Sequence, residues 1–203
     1  MTPRRNAEAT RTAILDAAER LFLERGPAAA SMSAVAQAAG VTKSLIHHHF
    51  GSKEGLWTAV KDRRFEVYAE LQRRLLTEPT STADLLKRSM EAYFRFQSKN
   101  PEFARFRSWL RLETQDSPPF GQGEELVRLG VAKVREAQER GELRSDVHPF
   151  SILTSLLGVI DHWFEDRPVR VALAETLAGL PDDEAYLREL LAMFFQGILP
   201  ETG

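Results

Sequence analysis

Residues 31–57, SMSAVAQAAGVTKSLIHHHFGSKEGLW, constrain this chain more than any other stretch. Gly40 separates two short runs with helical spacing, and Gly51-Ser52 separates the second from a third. Ser31, Thr42 and Ser52 each stand just before a run, where a hydroxyl can accept from the unpaired amides of a first helical turn. Gly40 supplies the left-handed backbone that most residues resist. Short helices joined by a glycine turn make a helix-turn-helix, whose second helix lies in the major groove of DNA. The stretch therefore points to a sequence-reading DNA module ahead of any enzyme.

The remainder reads as helix throughout. Ile14, Ala17, Ala18, Leu21 and Phe22 recur at i, i+3, i+4, i+7 and i+8, one buried stripe that Gly26-Pro27 ends. Further helices are expected at 31–39, 42–50, 53–76, 83–98, 101–113, 124–140, 149–165, 169–178 and 183–199, with loops at 78–82 and 114–123. The expected fold is all-α, with about nine to ten helices. Residues 1–52 form a three-helix DNA-binding domain, and 53–203 form a helical ligand-binding and dimerisation domain. The helix from 53 to about 76 is shared as connector. The first five residues and the last three are expected to fray.

Successive helical residues turn by about 100°. Lys43, Ser44, His47 and His48 then share one polar side of their helix, and Leu45, Ile46, His49 and Phe50 take the other. Lys43 can donate to guanine O6 and N7, Ser44 to several bases, and the imidazoles to bases or phosphates. Thr42 and the free amides at the helix start suit a phosphate. Lys53 opposes the dipole of its own helix, which a bound phosphate would explain.

Composition agrees. The net charge is −2, yet residues 1–53 hold seven Lys/Arg against four acids, a basic head on an acidic body. With no cysteine, disulfides, thiolate zinc fingers and thiol catalysis are excluded, and a cytoplasmic location is expected. No long apolar run suggests a membrane span and no apolar leader opens the chain.

ILDAAERLFLERG, SMSAVAQAAGV and TKSLIHHHFGSKEGLW together resemble the N-terminal domain of the tetracycline-repressor (TetR) family, from about Thr10 to Trp57. Pro27 stands where the family usually has an aromatic residue, Ser44 where it often has glycine, and His47 and His49 where it often has tyrosines. The resemblance implies a dimeric, ligand-responsive transcription regulator, most such proteins being repressors. It implies that Thr42, Lys43, Ser44, His47, His48 and Lys53 touch DNA, with Ser31 and Met32 near its backbone.

No metal site is expected at His47-His48-His49, because consecutive helical side chains diverge and the i, i+4 spacing of helical metal sites is missing. Nor is any cofactor or nucleophile–base set evident; Asp161-His162 is a lone pair whose side chains diverge. Two late helices are apolar on two sides: Ile152, Leu153, Leu156, Leu157, Val159, Ile160, Trp163 and Phe164 on one, and Tyr186, Leu187, Leu190, Leu191, Met193, Phe194 and Ile198 on the other. A helix apolar nearly all round must be covered on all sides. The expected cover is a second copy in a four-helix bundle, with Ile152, Leu156, Val159, Trp163, Leu187, Leu190, Leu191 and Phe194 at the interface. A two-fold dimer implies a palindromic operator on double-stranded DNA.

The middle helices are aromatic-rich. Tyr93, Phe94, Phe96, Phe103, Phe106, Trp109 and Trp163, with Phe120, suit a pocket for an apolar or aromatic effector, which Arg107, Glu113 and His162 could orient. Two other readings stand beside the regulator: a small helical enzyme or binding protein acting on an apolar molecule, and a nucleoid-type DNA binder without ligand. The acidic body argues against the last.

Overall fold

The computed structural model describes residues 3–76, 81–112 and 121–198. Among them are ten helices: α1 (Pro3–Arg25), α2 (Met32–Ala39), α3 (Lys43–Phe50), α4 (Lys53–Leu76), α5 (Thr82–Lys99), α6 (Glu102–Leu112), α7 (Gly121–Glu139), α8 (Pro149–Glu165), α9 (Arg167–Ala174) and α10 (Asp183–Ile198). Glu113 and Phe120, most of the two expected loops, the side chain of Ile198 and the extreme ends lie outside the described residues. The helices group into two compact units. The head is Met1–Glu66 with Arg105–Phe120, and the body is Val67–Ala104 with Gly121–Gly203. The division falls inside α4 and α6, so that α4 contributes residues to both units.

In the head, the periodic stripe of α1 is buried as its spacing requires, with Ile14, Ala18 and Phe22 fully covered. Phe22 meets the edge of Trp57 at 5.3 Å, and Trp57 meets Phe106 at 5.3 Å, so α1, α4 and α6 share one aromatic seam. Gly26 ends α1 at φ +82°, and a Cβ there would come within 2.7 Å of the Trp109 ring. No other residue fits that position. Arg63 donates to Asp16 at 2.6 Å and also pairs with Glu19, which takes Arg64 as well at 2.5 Å. Burial opposes the Arg63 charge, yet its carboxylate partners raise its pKa above the usual arginine value. These pairs tie the first half of α4 to α1.

In the body, Leu86, Val134, Ala137, Leu143 and Ile152 form a cluster from α5, α7, α8 and the turn after α7, with Phe194 and Phe195 packed against it. Phe94 packs on Phe164 at 4.8 Å. Trp163 stacks on Tyr186 at 3.6 Å and carries the Arg170 guanidinium 3.4 Å from its ring centre. Its indole N–H donates to Asp183 at 2.9 Å, and Arg167 pairs with the same carboxylate at 2.6 Å.

Three expectations change. Helix α7 begins at Gly121, because glycine is tolerated in a first turn. Helix α9 occupies 167–174 rather than 169–178: Pro168 sits in the first turn, where its missing N–H is no loss, and amides of Thr176 and Leu177 turn back onto the Leu173 carbonyl. The third concerns the apolar sides of α8 and α10. Ile152, Leu156, Trp163, Leu187, Leu190 and Leu191 are buried by their own chain, and Phe194 is half-covered by it. A side chain already covered cannot be the surface a partner covers. Of the eight expected interface residues, Val159 alone is exposed, at 38%. With it on the open sides of α8 and α10 stand Ser151, Thr154, Ser155, Gly158, Ala192 and Met193.

Candidate functional site

Local chemistry builds the α2–turn–α3 unit. The Ser31 hydroxyl accepts from the Ala34 amide at 3.1 Å, and the Thr42 hydroxyl from the Leu45 amide at 3.3 Å. Gly40 takes φ +65°, and the Gly40 and Val41 amides close the end of α2 on the Gln37 and Ala36 carbonyls. Inside, Val35, Ala36 and Ile46 are buried, Ile46 completely. That anchors the inner side of α3 and leaves Thr42, Lys43, Ser44, His47 and His48 exposed together on the other. His49 is half-buried, its ring 5.6 Å from His48 and 6.1 Å from Phe50.

Three details qualify the expected contact set. Met32 is 8% exposed and belongs to the core of the head, so its side chain cannot lie along a DNA backbone. His47 is exposed, but its Nδ1 lies 2.8 Å from the Gly51 carbonyl oxygen. A carbonyl only accepts, so Nδ1 carries the proton, and Nε2, the accepting nitrogen of that neutral tautomer, is left for a base N–H group. Lys53 donates to the Ala28 carbonyl at 2.7 Å. That bond gives its place at a helix start a local reason, tying α4 to the loop after α1. One of its three ammonium protons is used and two remain.

Sequence reasoning passed over Gly55. A Cβ at this position would sit 2.1 Å from the Phe50 carbonyl oxygen, so the close approach of α4 to the end of α3 demands glycine. A glycine one turn into a helix, after the Gly51 break, was the available signal. The Ser52 hydroxyl accepts from the Gly55 amide at 3.1 Å. In the same turn an amide and the Ser52 hydroxyl bond the Glu54 carboxylate, and with nearby Lys53 they hold its pKa below the usual glutamate value despite slight desolvation.

The expected effector residues do not form one set. Phe106, Arg107 and Trp109 belong to the head, and Tyr93, Phe96, Phe103, His162 and Trp163 to the body. Phe106 and Trp109 pack within the head's own core, against Trp57 and Gly26. His162 points to solvent, 3.4 Å from the Asp166 carboxylate, and Trp163 is engaged with Tyr186 and Arg170. Neither lines an interior space. Tyr93, Phe96 and Phe103 do come together, in a run of rings with Tyr68: 5.0 Å from Tyr68 to Tyr93, 5.4 Å to Phe96, and 4.9 Å from Phe96 to Phe103. The Tyr93 hydroxyl donates to buried Asp161 at 2.5 Å. An open cleft on the head is charged rather than apolar, lined by Asp16, Glu19, Arg20, Glu24, Arg63, Arg64 and Arg105 around Leu23. Among the described residues no cluster of three metal-ligating side chains occurs, and no helix is long and apolar enough to cross a membrane.

Residues 14–60 match the family profile described as bacterial regulatory proteins, tetR family. Residues 86–193 match that of the tetracyclin repressor-like C-terminal domain. The HTH-type transcriptional repressor SCO4008 of Streptomyces coelicolor is 28% identical over 161 residues, 78% of this chain and 80% of that one. The structure of NalD, the secondary repressor of the MexAB-OprM multidrug efflux pump in Pseudomonas aeruginosa, superposes with a TM-score of 0.70 at 23% identity, covering 97% of this chain and 99% of that one. The transcriptional regulator FadR from Bacillus subtilis, in complex with stearoyl-CoA, gives 0.71 at 18% identity, covering 92% and 98%. At those identities the superpositions establish a shared fold.

Proposed function

The chain belongs to the TetR family of DNA-binding regulators, which are not enzymes, and from that premise we propose that it is an effector-controlled repressor acting as a homodimer on a palindromic operator. The observation that carries the reading is the division of α3. Ile46 is completely buried, while Thr42, Lys43, Ser44, His47 and His48 stand exposed on the other side. An exposed row of donors directly after a glycine turn is what direct readout of a major groove requires. Lys43 reads a guanine edge. His47 offers Nε2 as an acceptor to a base N–H group. Thr42 and Ser31, near their helix starts, hold phosphates, as do the two remaining protons of Lys53.

The dimer forms through the open sides of α8 and α10. Ser151, Ser155, Gly158 and Ala192 are small enough for close helix approach, and Val159 and Met193 supply apolar area. The sense of regulation follows the repressor relatives, SCO4008 and NalD. The effector is a largely apolar small molecule received by the body; that some proteins of this fold bind small molecules, FadR being in complex with stearoyl-CoA, supports an effector of some kind. Helix α4 contributes residues to both units. An effector that favours one setting of α4 changes DNA affinity by the ratio of its affinities for the two settings.

Selection of bound duplexes from a random pool, followed by gel-shift titration, tests the proposal. The expected product is an inverted repeat with half-sites about 34–36 Å apart or somewhat more, bound by an even number of chains. Recovery of DNA without a shared sequence, or of none, rejects it.

A further inference from the structure

The body holds a buried polar cluster that nothing above employs. Asp161 on α8 is 3% exposed, and its Oδ1 accepts from both the Tyr93 hydroxyl at 2.5 Å and the Gln97 amide at 2.9 Å. Gln97 on α5 is 1% exposed, and its carbonyl Oε1 meets no donor. The Gln97 NH2 group faces the Asp161 carboxyl and its carbonyl turns away from it. Buried acceptors without donors are rare in folded proteins, and each one calls for a reason.

The surroundings supply one. Tyr93 begins the ring run that continues through Tyr68 and Phe96 to Phe103. Tyr93 and Phe103 are buried, whereas Tyr68 and Phe96 are half-exposed. Rings that run from half-exposed to buried thus adjoin the polar cluster through Tyr93, and aromatic faces and edges favour offset or edge-on contact with a flat guest. At the cluster the Tyr93 hydroxyl proton is given to Asp161, and the Gln97 carbonyl is an acceptor without a donor.

We propose that the Gln97 carbonyl is the polar anchor of the effector site, and that it selects a ring-bearing apolar molecule with an N–H or O–H donor. The inference rests on the reading of the chain as an effector-controlled regulator and names the class of effector. A molecule whose polar end is a carboxylate or a phosphate, or whose apolar chain ends at a thioester carbonyl, meets the Gln97 carbonyl with an acceptor first. A donor completes the Gln97 amide without disturbing the bonds that Asp161 already receives. The likeness of fold to an acyl-CoA-bound regulator therefore does not extend to the ligand.

Calorimetry on the full chain decides this with probes that share one ring system. 2-Naphthylmethanol and 2-naphthylmethylamine present donors, 2-naphthoate presents acceptors, and stearoyl-CoA stands for the acyl-thioester class. At least one donor probe should bind about tenfold more tightly than 2-naphthoate, the scale of one buried hydrogen bond. Gln97→Met keeps the length of the side chain and removes its acceptor, and should abolish that preference. Phe96→Leu keeps the preference and weakens all naphthyl probes, and it serves should Gln97→Met fail to fold. Equal or tighter binding of 2-naphthoate or stearoyl-CoA, binding of no probe, an unchanged preference in Gln97→Met, or unchanged binding in Phe96→Leu overturns the proposal. The regulator reading fails separately, through the unliganded wild-type chain retaining no duplex from a random pool.

Discussion

The head and the body solve opposite problems with polar side chains. The head keeps its working groups in water and, Lys53 apart, holds them by local bonds: a hydroxyl before each of α2, α3 and α4, a glycine at each turn, and a ring nitrogen four residues from its carbonyl partner. The body instead joins some of its polar groups across distant chain positions and away from solvent, fully buried in Gln97 with Asp161 and half-buried in Ser98 with Asp183. Exposed groups positioned locally are ready for a solvated partner such as DNA. Buried groups joined at long range are expensive to disturb, so a change there is felt as stability or as response to a small molecule.

Substitutions can break that contrast, and the largest effect is expected at Gly55. Gly55→Ala places a methyl group against the Phe50 carbonyl, and the end of α3 must move. A loss of about 3–4 kcal/mol is expected in urea unfolding, together with loss of operator binding. A fully stable, DNA-binding Gly55→Ala chain would show that α3 and α4 have slack the structure does not suggest. Next is Asp161→Ala, which removes the buried acceptor of the Tyr93 hydroxyl and the Gln97 amide. It should cost about 2–3 kcal/mol of stability, while the isolated contact of Lys43 with DNA is unaffected. Equal loss of DNA affinity in the refolded variant would mean that the two regions are not separable.

Lys43→Ala should lose about 2 kcal/mol of operator affinity and relax preference at one base step, with unfolding unchanged. Selection from a random pool reads this directly, and an unaltered consensus would remove Lys43 from the reading set. Lys53→Met has two smaller effects: under about 1 kcal/mol of stability, from the lost Ala28 bond, and a salt slope lower by about one, from the lost phosphate. An unchanged slope would leave Lys53 as a tether alone.

The smallest effect is one of pH on the body. Burial works against the Asp183 charge, but the Trp163 N–H, Arg167 and the Ser98 hydroxyl hold its pKa below the usual aspartate value. A depressed carboxyl stabilises above its unfolded pKa and loses that contribution as pH falls through the folded one. Wild type should therefore lose more stability than Asp183→Asn between pH 5 and pH 2, about the range in which such a carboxylate protonates. Parallel curves would show that the carboxylate is not held by those donors.

Much of the head was legible because its determinants are near neighbours in the chain. Capping hydroxyls, the Gly40 turn and the amphipathic split of α3 all lie within one or two helical turns of what they affect. The features that escaped are those set by contact. Met32 reads as one more residue near a helix start until its burial is seen. Lys53 reads as a frustrated cation until the Ala28 carbonyl appears beside it. Gly55 and Gly26 are glycines among many until Phe50 and Trp109 occupy the space a Cβ would need. In the body, two-sided apolar helices suggested a partner, yet α5, α7 and the rings of α5 and α10 cover most of both sides. Periodicity records how much of a helix is covered and is silent on what covers it.

By itself the amino-acid sequence determined that the chain is helical, where the reading helix starts and stops, and which of its residues stay polar and outward, since those follow from backbone geometry and short-range bonding. Only the tertiary structure decided which apolar surfaces remain open on α8 and α10, which aromatic residues sit together, and that a glutamine and an aspartate 64 positions apart meet in the body. The reason is physical: burial and long-range pairing depend on how helices pack, and many packings share one pattern of local preference.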